Sequence, residues 1–387
     1  MRLDGPVLII GAGIGGLTLA RALERRGFAC RLFERAQELS PVGAGLLVQT
    51  AALLALRTLE LEAPVKAAGQ EVRLGFAKTD RGSILQRTSM AFLDDEFGAA
   101  TIAIHRARLQ EVLLGAVGTQ AELGADLVGY ESDAEGVTAM FSNGTRARGA
   151  LLVGADGLRS VVRRTLLGFS APRYAGYTSW RGIAEAPQGF PSDEVTEMWG
   201  TGARFGFASI GLGETYWFAV QNAAQGESES DSLEVVRRHF SAWARPVPEL
   251  LANTRPERVF RTDIFDREPV PSWSGERVTL LGDAAHPTTP NLGQGGGMAI
   301  EDAVVLAHAL ERSESLAAAL ADYERRRLAK TAHVVRASWR FGRLAQLENN
   351  LAIVFRNLLL RLTPEGVIQR ELRRAARFSL DDALARA

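Results

Sequence analysis

The apolar positions of this chain repeat with two different periods. Val7 to Ile10 form an unbroken hydrophobic run, the pattern of a parallel strand covered on both faces. Glycines follow, then a helical period that stops at Gly27, then a second strand in "ACRLFE". "AALLALRTLEL" and "RARLQEVLLGAV" carry the helical period again, and the stretch between them, from Val72 to Phe97, is strand-like and polar. "VTAMFSNGTRARGALLVGADG" contains a hairpin turning at Asn143-Gly144 and then a buried strand. From about Ser170 to Gly275, short aromatic strands such as "YTSWRGIAEA", "RFGFASIGL" and "TYWFAVQ" alternate with Gly, Pro and Ser turns. That style ends at "RVTLLGD", again a buried strand, and from Leu316 onward the period is helical.

This order predicts an α/β fold. A doubly wound, Rossmann-like domain is interrupted by a mixed or antiparallel β-sheet domain and followed by C-terminal helices. Residues 1–72, 97–169 and 276–325 read as the nucleotide domain, 73–96 and 170–275 as the inserted substrate domain, and 326–387 as the helical region. A chain of 387 residues is long for a single core, which agrees with two domains.

Composition narrows the function classes. Lys+Arg and Asp+Glu both number 45, so no net field recruits nucleic acid, and no nucleic-acid partner is expected. The single cysteine, Cys30, excludes an intrachain disulfide and a cysteine-based metal cluster, and reads as a small buried apolar residue; no metal site is expected. The first residues begin a strand rather than a signal peptide, and no apolar run spans a bilayer, so a cytoplasmic setting is expected. The C-terminal "ENNLAIVFRNLLLRLTPEGVIQRELRRAARF" mixes apolar residues with arginine. It suits packing against its own domain or a second subunit, or peripheral contact with a membrane through these helices.

Two glycine clusters carry candidate chemistry. Gly11-Ala12-Gly13-Ile14-Gly15-Gly16 lies between a strand and a helix. Gly11 makes the tight turn, Gly13 lets the backbone approach a pyrophosphate, and Gly16 lets helix and strand pack closely. Free N–H groups and the positive end of the helix dipole then face the phosphates. Glu34 ends the second strand, where a carboxylate accepts hydrogen bonds from ribose hydroxyls; Arg35 follows it. The second cluster is "LLGDAAHPTTPNLGQGGGMAIEDA": Asp283 closes a strand, and Gly293, Gly295, Gly296 and Gly297 precede a helix. Two helix N-termini aimed at one cofactor suit FAD better than NAD, one for the pyrophosphate and one for the ring, because a reduced flavin carries negative charge around N1 and the C2 carbonyl.

A third segment, "LLVGADGLRSVVRR", places Asp156-Gly157 after a buried strand. Together the three segments resemble the FAD-dependent monooxygenases of the p-hydroxybenzoate hydroxylase fold, and "RYAGYTSWRGIA" resembles the zeaxanthin epoxidase and urate hydroxylase branch. The resemblance implies that Glu34 binds the adenosine ribose, Arg106 reaches the pyrophosphate-ribityl region, Asp283 binds the ribityl chain, and Gly293 to Gly296 meet the isoalloxazine edge. It also implies that Asp156 supports both FAD and the nicotinamide donor. Arg108 reads as a solvated helix arginine. The chain departs from the pattern at Gly297 and at Thr50-Ala51, where relatives often carry a polar residue and Pro-Asn.

The implied reaction uses NAD(P)H as co-substrate to reduce FAD, with O2 adding at flavin C4a and the distal oxygen attacking an electron-rich ring or double bond. Hydroxylation and epoxidation both remain open. Tyr177, Trp180, Arg204, Tyr216 and Trp217 are candidates to line the cavity of a small aromatic or apolar substrate. Arg204 and Tyr216 are preferred as catalytic residues because the urate hydroxylase branch uses an Arg and a Tyr on comparable strands, and Pro290 shapes the pocket beside the flavin. His286 reads as a packing residue rather than an acid or base. A flavin reductase or saturase, and a non-catalytic flavin-binding redox sensor, are the competing readings.

Overall fold

Five short strands, four of them largely apolar, form the parallel sheet that positions everything else. A computed structural model describes residues 1–39, 43–227, 231–378 and 380, so the expected helical region to 387 runs past the described residues. The sheet order is Val278–Leu280, Leu151–Gly154, Val7–Ile10, Cys30–Phe33, Ala121–Glu122, with every pair parallel. The helices Ile14–Glu24 and Gly295–Arg312 pack on this sheet, and their contact is close because a Cβ on Gly15 would meet Leu281 and Ala299. The Asn143-Gly144 hairpin joins strands Val137–Phe141 and Arg146–Gly149 in a separate three-stranded sheet.

The inserted domain is a seven-stranded mixed sheet. Its order is Thr254–Asp266, Arg173–Glu185, Glu214–Asn222, Ala203–Ser209, Glu194–Trp199, Leu74–Thr79, Ile84–Ser89. All pairs are antiparallel except Glu194–Trp199 with Leu74–Thr79. The polar stretch before Phe97 therefore enters this sheet, although its last part, Phe92–Phe97, is a short helix. Helices Ser232–Phe240 and Val247–Ala252 lie in the region read as strands and turns, so that expectation was incomplete. Leu316–Ala345 is one continuous helix, and the boundary drawn at 325/326 falls inside it.

Register decides which side chains of the inserted sheet can meet a ligand. In-register neighbours share a face. Tyr216 lies opposite Ile183 and Ala208, Phe218 opposite Arg181 and Gly206, and Val220 opposite Ser179 and Arg204. Tyr177, Arg181, Arg204 and Tyr216 therefore share one face. Trp180, Phe205 and Trp217 occupy the other, in a core with Leu233, Val236, Phe240 and Leu250 from the two helices. Trp180 and Trp217 do not line a substrate cavity. They cover the helices that the sequence reading missed.

Candidate active site

Two helix N-termini, one carboxylate and one sheet face converge in space. Helix Ile14–Glu24 starts after Gly13 and helix Gly295–Arg312 after Gln294; neither start has a side-chain cap or an acidic residue in its first turn. Their first N–H groups are thus left for a ligand. A Cβ on Gly296 would stand 3.9 Å from Ile14 Cδ1, and one on Gly295 would stand 3.9 Å from Asp283 Oδ1, so both helix starts and the Asp283 turn border the same space. Gly11 has φ +109°, and a side chain there would overlap the Ala155 carbonyl; one on Gly16 would overlap the Gly11 carbonyl. Gly13 differs from both: no atom lies within 4 Å of the Cβ position it lacks.

Asp283 is both accessible and deep. Solvent reaches its side chain, while the surrounding protein raises its carboxyl pKa against the opposing charges of His286 and Arg106. Arg106 begins helix Arg106–Ala116, is exposed, and lies against Gly43. Glu34 Oε2 accepts from the Ala12 N–H at 2.9 Å and Oε1 from the Ala36 N–H at 3.0 Å, which fixes its carboxylate beside the glycine turn; Arg35 is exposed next to it.

The Asp156 segment works through its neighbours. Asp156 accepts from Ser160 Oγ at 2.5 Å and from the Val161 N–H at 2.8 Å, capping helix Val161–Leu167. From that helix the buried Arg163 guanidinium donates to the carbonyls of Ala284 and Ala285 at 2.9 and 2.7 Å. The Asp-Gly and Gly-Asp segments are thereby clamped together. His286 is buried, with Nε2 2.6 Å from Asp302 Oδ2, and Asp302 also accepts from the Gly282 N–H and from Arg327 Nε. Burial works against the charge of Asp302, but His286 and Arg327 outweigh it and hold its carboxyl well below the usual carboxylate range.

Strand Gly45–Val48 joins this centre to the inserted sheet. Leu47 packs into the cluster of Ile183, Ala208 and Tyr216, and its Cδ1 is 3.7 Å from where a Cβ on Gly293 would lie. Gly45 sits against the Tyr216 ring with no room for a side chain. Tyr216 is partly exposed, and burial raises its hydroxyl pKa against the nearby positive charge of Arg181.

Arg204 shares the face of Tyr177 and Tyr216 but is fully engaged. Its guanidinium donates to Gln346 Oε1 at 2.9 Å, Glu197 Oε1 at 2.9 Å and Asn291 Oδ1 at 2.7 Å, and the residue is 1% exposed. In this arrangement it positions the turn Pro290–Leu292, because Asn291 also donates to Tyr177 Oη and to the Ser338 carbonyl. Pro290 is held, exposed, at the head of that turn. Arg108 is not a solvated arginine: it donates to the carbonyls of Ala68 and Ile210 and to Glu214, tying helix Arg106–Ala116 to the inserted sheet.

Two residues escaped the sequence reading. Asn291 is the hub between the sheet face and the Pro290 turn. Arg181 is partly exposed between Phe218 and Phe260, and its side chain makes no hydrogen bond or ion pair among the described residues. Its signal was the alternation Tyr177, Ser179, Arg181, which groups it with Tyr177 against Trp180.

These residues fit a bound FAD: an open cradle over Gly13, a carboxylate at the strand end and a second helix start beside Asp283. The FAD binding domain family matches residues 4–338. The chain is similar to aurachin C monooxygenase/isomerase of Stigmatella aurantiaca, 45% identical over 98% of this chain and 100% of that one. It is similar to an FAD-dependent urate hydroxylase of Klebsiella pneumoniae, 36% identical over 83% of this chain and 85% of the relative. The structure of Klebsiella pneumoniae HpxO complexed with FAD and uric acid superposes with a TM-score of 0.90 at 31% identity, covering 97% of each chain. The chain belongs to the family of FAD-binding monooxygenases.

Proposed function

We propose that this FAD-dependent, NAD(P)H-using monooxygenase oxygenates a small, flat aromatic or heteroaromatic substrate that carries an acidic oxygen. One observation carries the reading: two uncapped helix starts and Asp283 meet beside an aromatic sheet face that presents Arg181 without a partner. The N–H groups after Gly13 hold the pyrophosphate, with Glu34 at the ribose and Arg35 and Arg106 at its flanks. Asp283 holds the ribityl chain, and the helix start at Gly295 and Gly296 favours negative charge on the ring edge. Arg163 holds the Ala284 and Ala285 carbonyls beside the Asp283 turn. When bound and reduced, FAD supplies the activation of O2. Leu47, Tyr216 and Phe218 exclude water and orient the ring of the substrate, Pro290 borders it, and Arg181 holds its acidic oxygen.

The test is consumption of NADH or NADPH by the yellow protein, with labelled O2 and with the molecules named for its relatives: urate, aurachin C and 3-amino-4-hydroxybenzoate. The expected product gains one labelled oxygen atom. A product reduced without oxygen would favour the reductase or saturase, and no stimulated turnover would favour the redox sensor.

Arg181→Gln is expected to raise KM for an anionic substrate about 10- to 100-fold, the scale of one hydrogen bond to a charged group. Because Arg181 lies outside the helix starts, kcat should change less and FAD affinity should stay the same. An unchanged KM for every acidic substrate would remove Arg181 from the proposal.

A further inference from the structure

We propose that helix Asn350–Leu362 docks this protein onto a lipid bilayer surface bearing anionic headgroups. Leu351, Val354, Phe355, Leu358, Leu359 and Leu362 recur at i, i+3, i+4, i+7, i+8 and i+11, so they form one stripe. Each of the six is between 51% and 81% exposed. Six large apolar side chains left in water along one helix mark an interaction surface. The stripe points outward because the rest of the helix is held inward. Arg356 is buried and donates to the Ala345 carbonyl at 3.0 Å, and Asn349 caps the helix by accepting from the Ala352 N–H. Packing against its own domain, one expectation for this segment, therefore accounts for the Arg356 side alone.

Charge selects the occupant. Arg361 stands at the margin of the stripe, Arg370 and Arg374 lie on the following helix Glu365–Ala376, and Arg343 lies just before Asn350. All four are exposed, and none of their side chains makes an ion pair or hydrogen bond among the described residues. Residues 343–377 hold seven arginines against three acids, the exposed Glu348, Glu365 and Glu371, while the whole chain is neutral, so the cationic excess is local. A basic margin around an exposed apolar stripe is the pattern of a helix lying in the headgroup plane, where each arginine meets lipid phosphates.

A second copy fits less well. Two such helices, each about 20 Å long, meet along a line and leave much of both stripes in water. Their contact falls short of the roughly 800 Å² per partner of a stable interface. It would also bring like-charged arginine margins together. A planar surface covers the entire stripe. The helix starts beside a cavity of about 500 Å³ lined by Tyr177, Asn222, Gly342, Gln346 and Glu348 among others, so docking places that opening next to the bilayer.

This inference does not depend on the substrate reading, and its test needs no turnover. The FAD-loaded protein is sedimented with vesicles of phosphatidylcholine alone, and with vesicles of equal phosphatidylcholine and phosphatidylglycerol. The expected result is partition at least about tenfold higher into the anionic vesicles, falling as salt is raised. The double variant Phe355→Glu, Leu358→Glu should stay in the supernatant while remaining yellow, since both positions are solvent-exposed and outside the flavin site. The triple variant Arg361→Gln, Arg370→Gln, Arg374→Gln should lose the preference for phosphatidylglycerol. Wild-type protein that stays in the supernatant with both vesicles overturns the proposal. So does a dimer in analytical ultracentrifugation that the double variant turns into a monomer.

Discussion

Gly13→Val is expected to give a folded but colourless protein. Gly13 has φ −74° and an extended ψ, a conformation open to any residue, and nothing in the chain lies within 4 Å of the missing Cβ. The β-carbon of a valine there meets no protein atom. It meets the pyrophosphate that the first N–H groups of helix Ile14–Glu24 are left to bind. FAD affinity should fall roughly a thousandfold or more, the scale of losing two or three charge-assisted hydrogen bonds. The comparison with Gly16→Val makes the result specific. A side chain at Gly16 overlaps the Gly11 carbonyl, so that variant should fail at folding itself. Flavin absorbance after desalting, FAD titration and thermal melts of the apoproteins separate the outcomes. A Gly13→Val protein that melts like the parent and stays yellow would sink the assignment of this loop to the pyrophosphate.

The contrast between these glycines shows what could be read before the structure. The glycine turn and Glu34 were legible because each is a contiguous signal whose geometry is set within a few residues, whereas Asp283, read as closing a strand, lies in the 3-10 turn Gly282–Ala284 just beyond strand Val278–Leu280. The face of an inserted-sheet strand was not. Tyr177 and Trp180 differ by an odd number of positions, so they cannot share a face, yet nothing local says which one meets the core. Helices Ser232–Phe240 and Val247–Ala252 settle it by burying Trp180 and Trp217. The first of these had its own local signal, Asp231 capping the Glu234 N–H with Leu233, Val236 and Phe240 at helical spacing, but the surrounding Gly, Pro and Ser residues drew it into the strand-and-turn reading. Arg204 was named as a candidate without a face, and it lies on the face of Tyr177 and Tyr216. Its saturation by Gln346, Glu197 and Asn291 depends on three separate segments, and no pattern within its own strand could report that.

Asp302→Asn should destabilise the fold strongly, and its effect should depend on pH with a definite sign. Asp302 is fully buried and accepts from Gly282 N–H at 2.9 Å, His286 Nε2 at 2.6 Å and Arg327 Nε at 2.7 Å. Arg327 also donates to Glu301 at 2.6 Å, and Lys330 pairs with the same Glu301 oxygen at 2.8 Å. Neutralising Asp302 leaves the buried Arg327 short of one counter-charge and His286 without its carboxylate, a loss of about 3–5 kcal/mol. Because the folded-state carboxyl is held below its ordinary range, its contribution is complete above the unfolded aspartate pKa of about 4 and disappears as pH falls through the folded value. Denaturant melts of parent and variant apoprotein should therefore differ fully at neutral pH and draw together in acid below that value. A gap that stays constant into acid would mean that Asp302 acts through shape rather than charge. FAD affinity should weaken in the same variant, since the Gly282 N–H that Asp302 holds is adjacent to Asp283. The buried charge cluster thus sets the position of the Asp283 turn from behind, through helices Gly295–Arg312 and Leu316–Ala345.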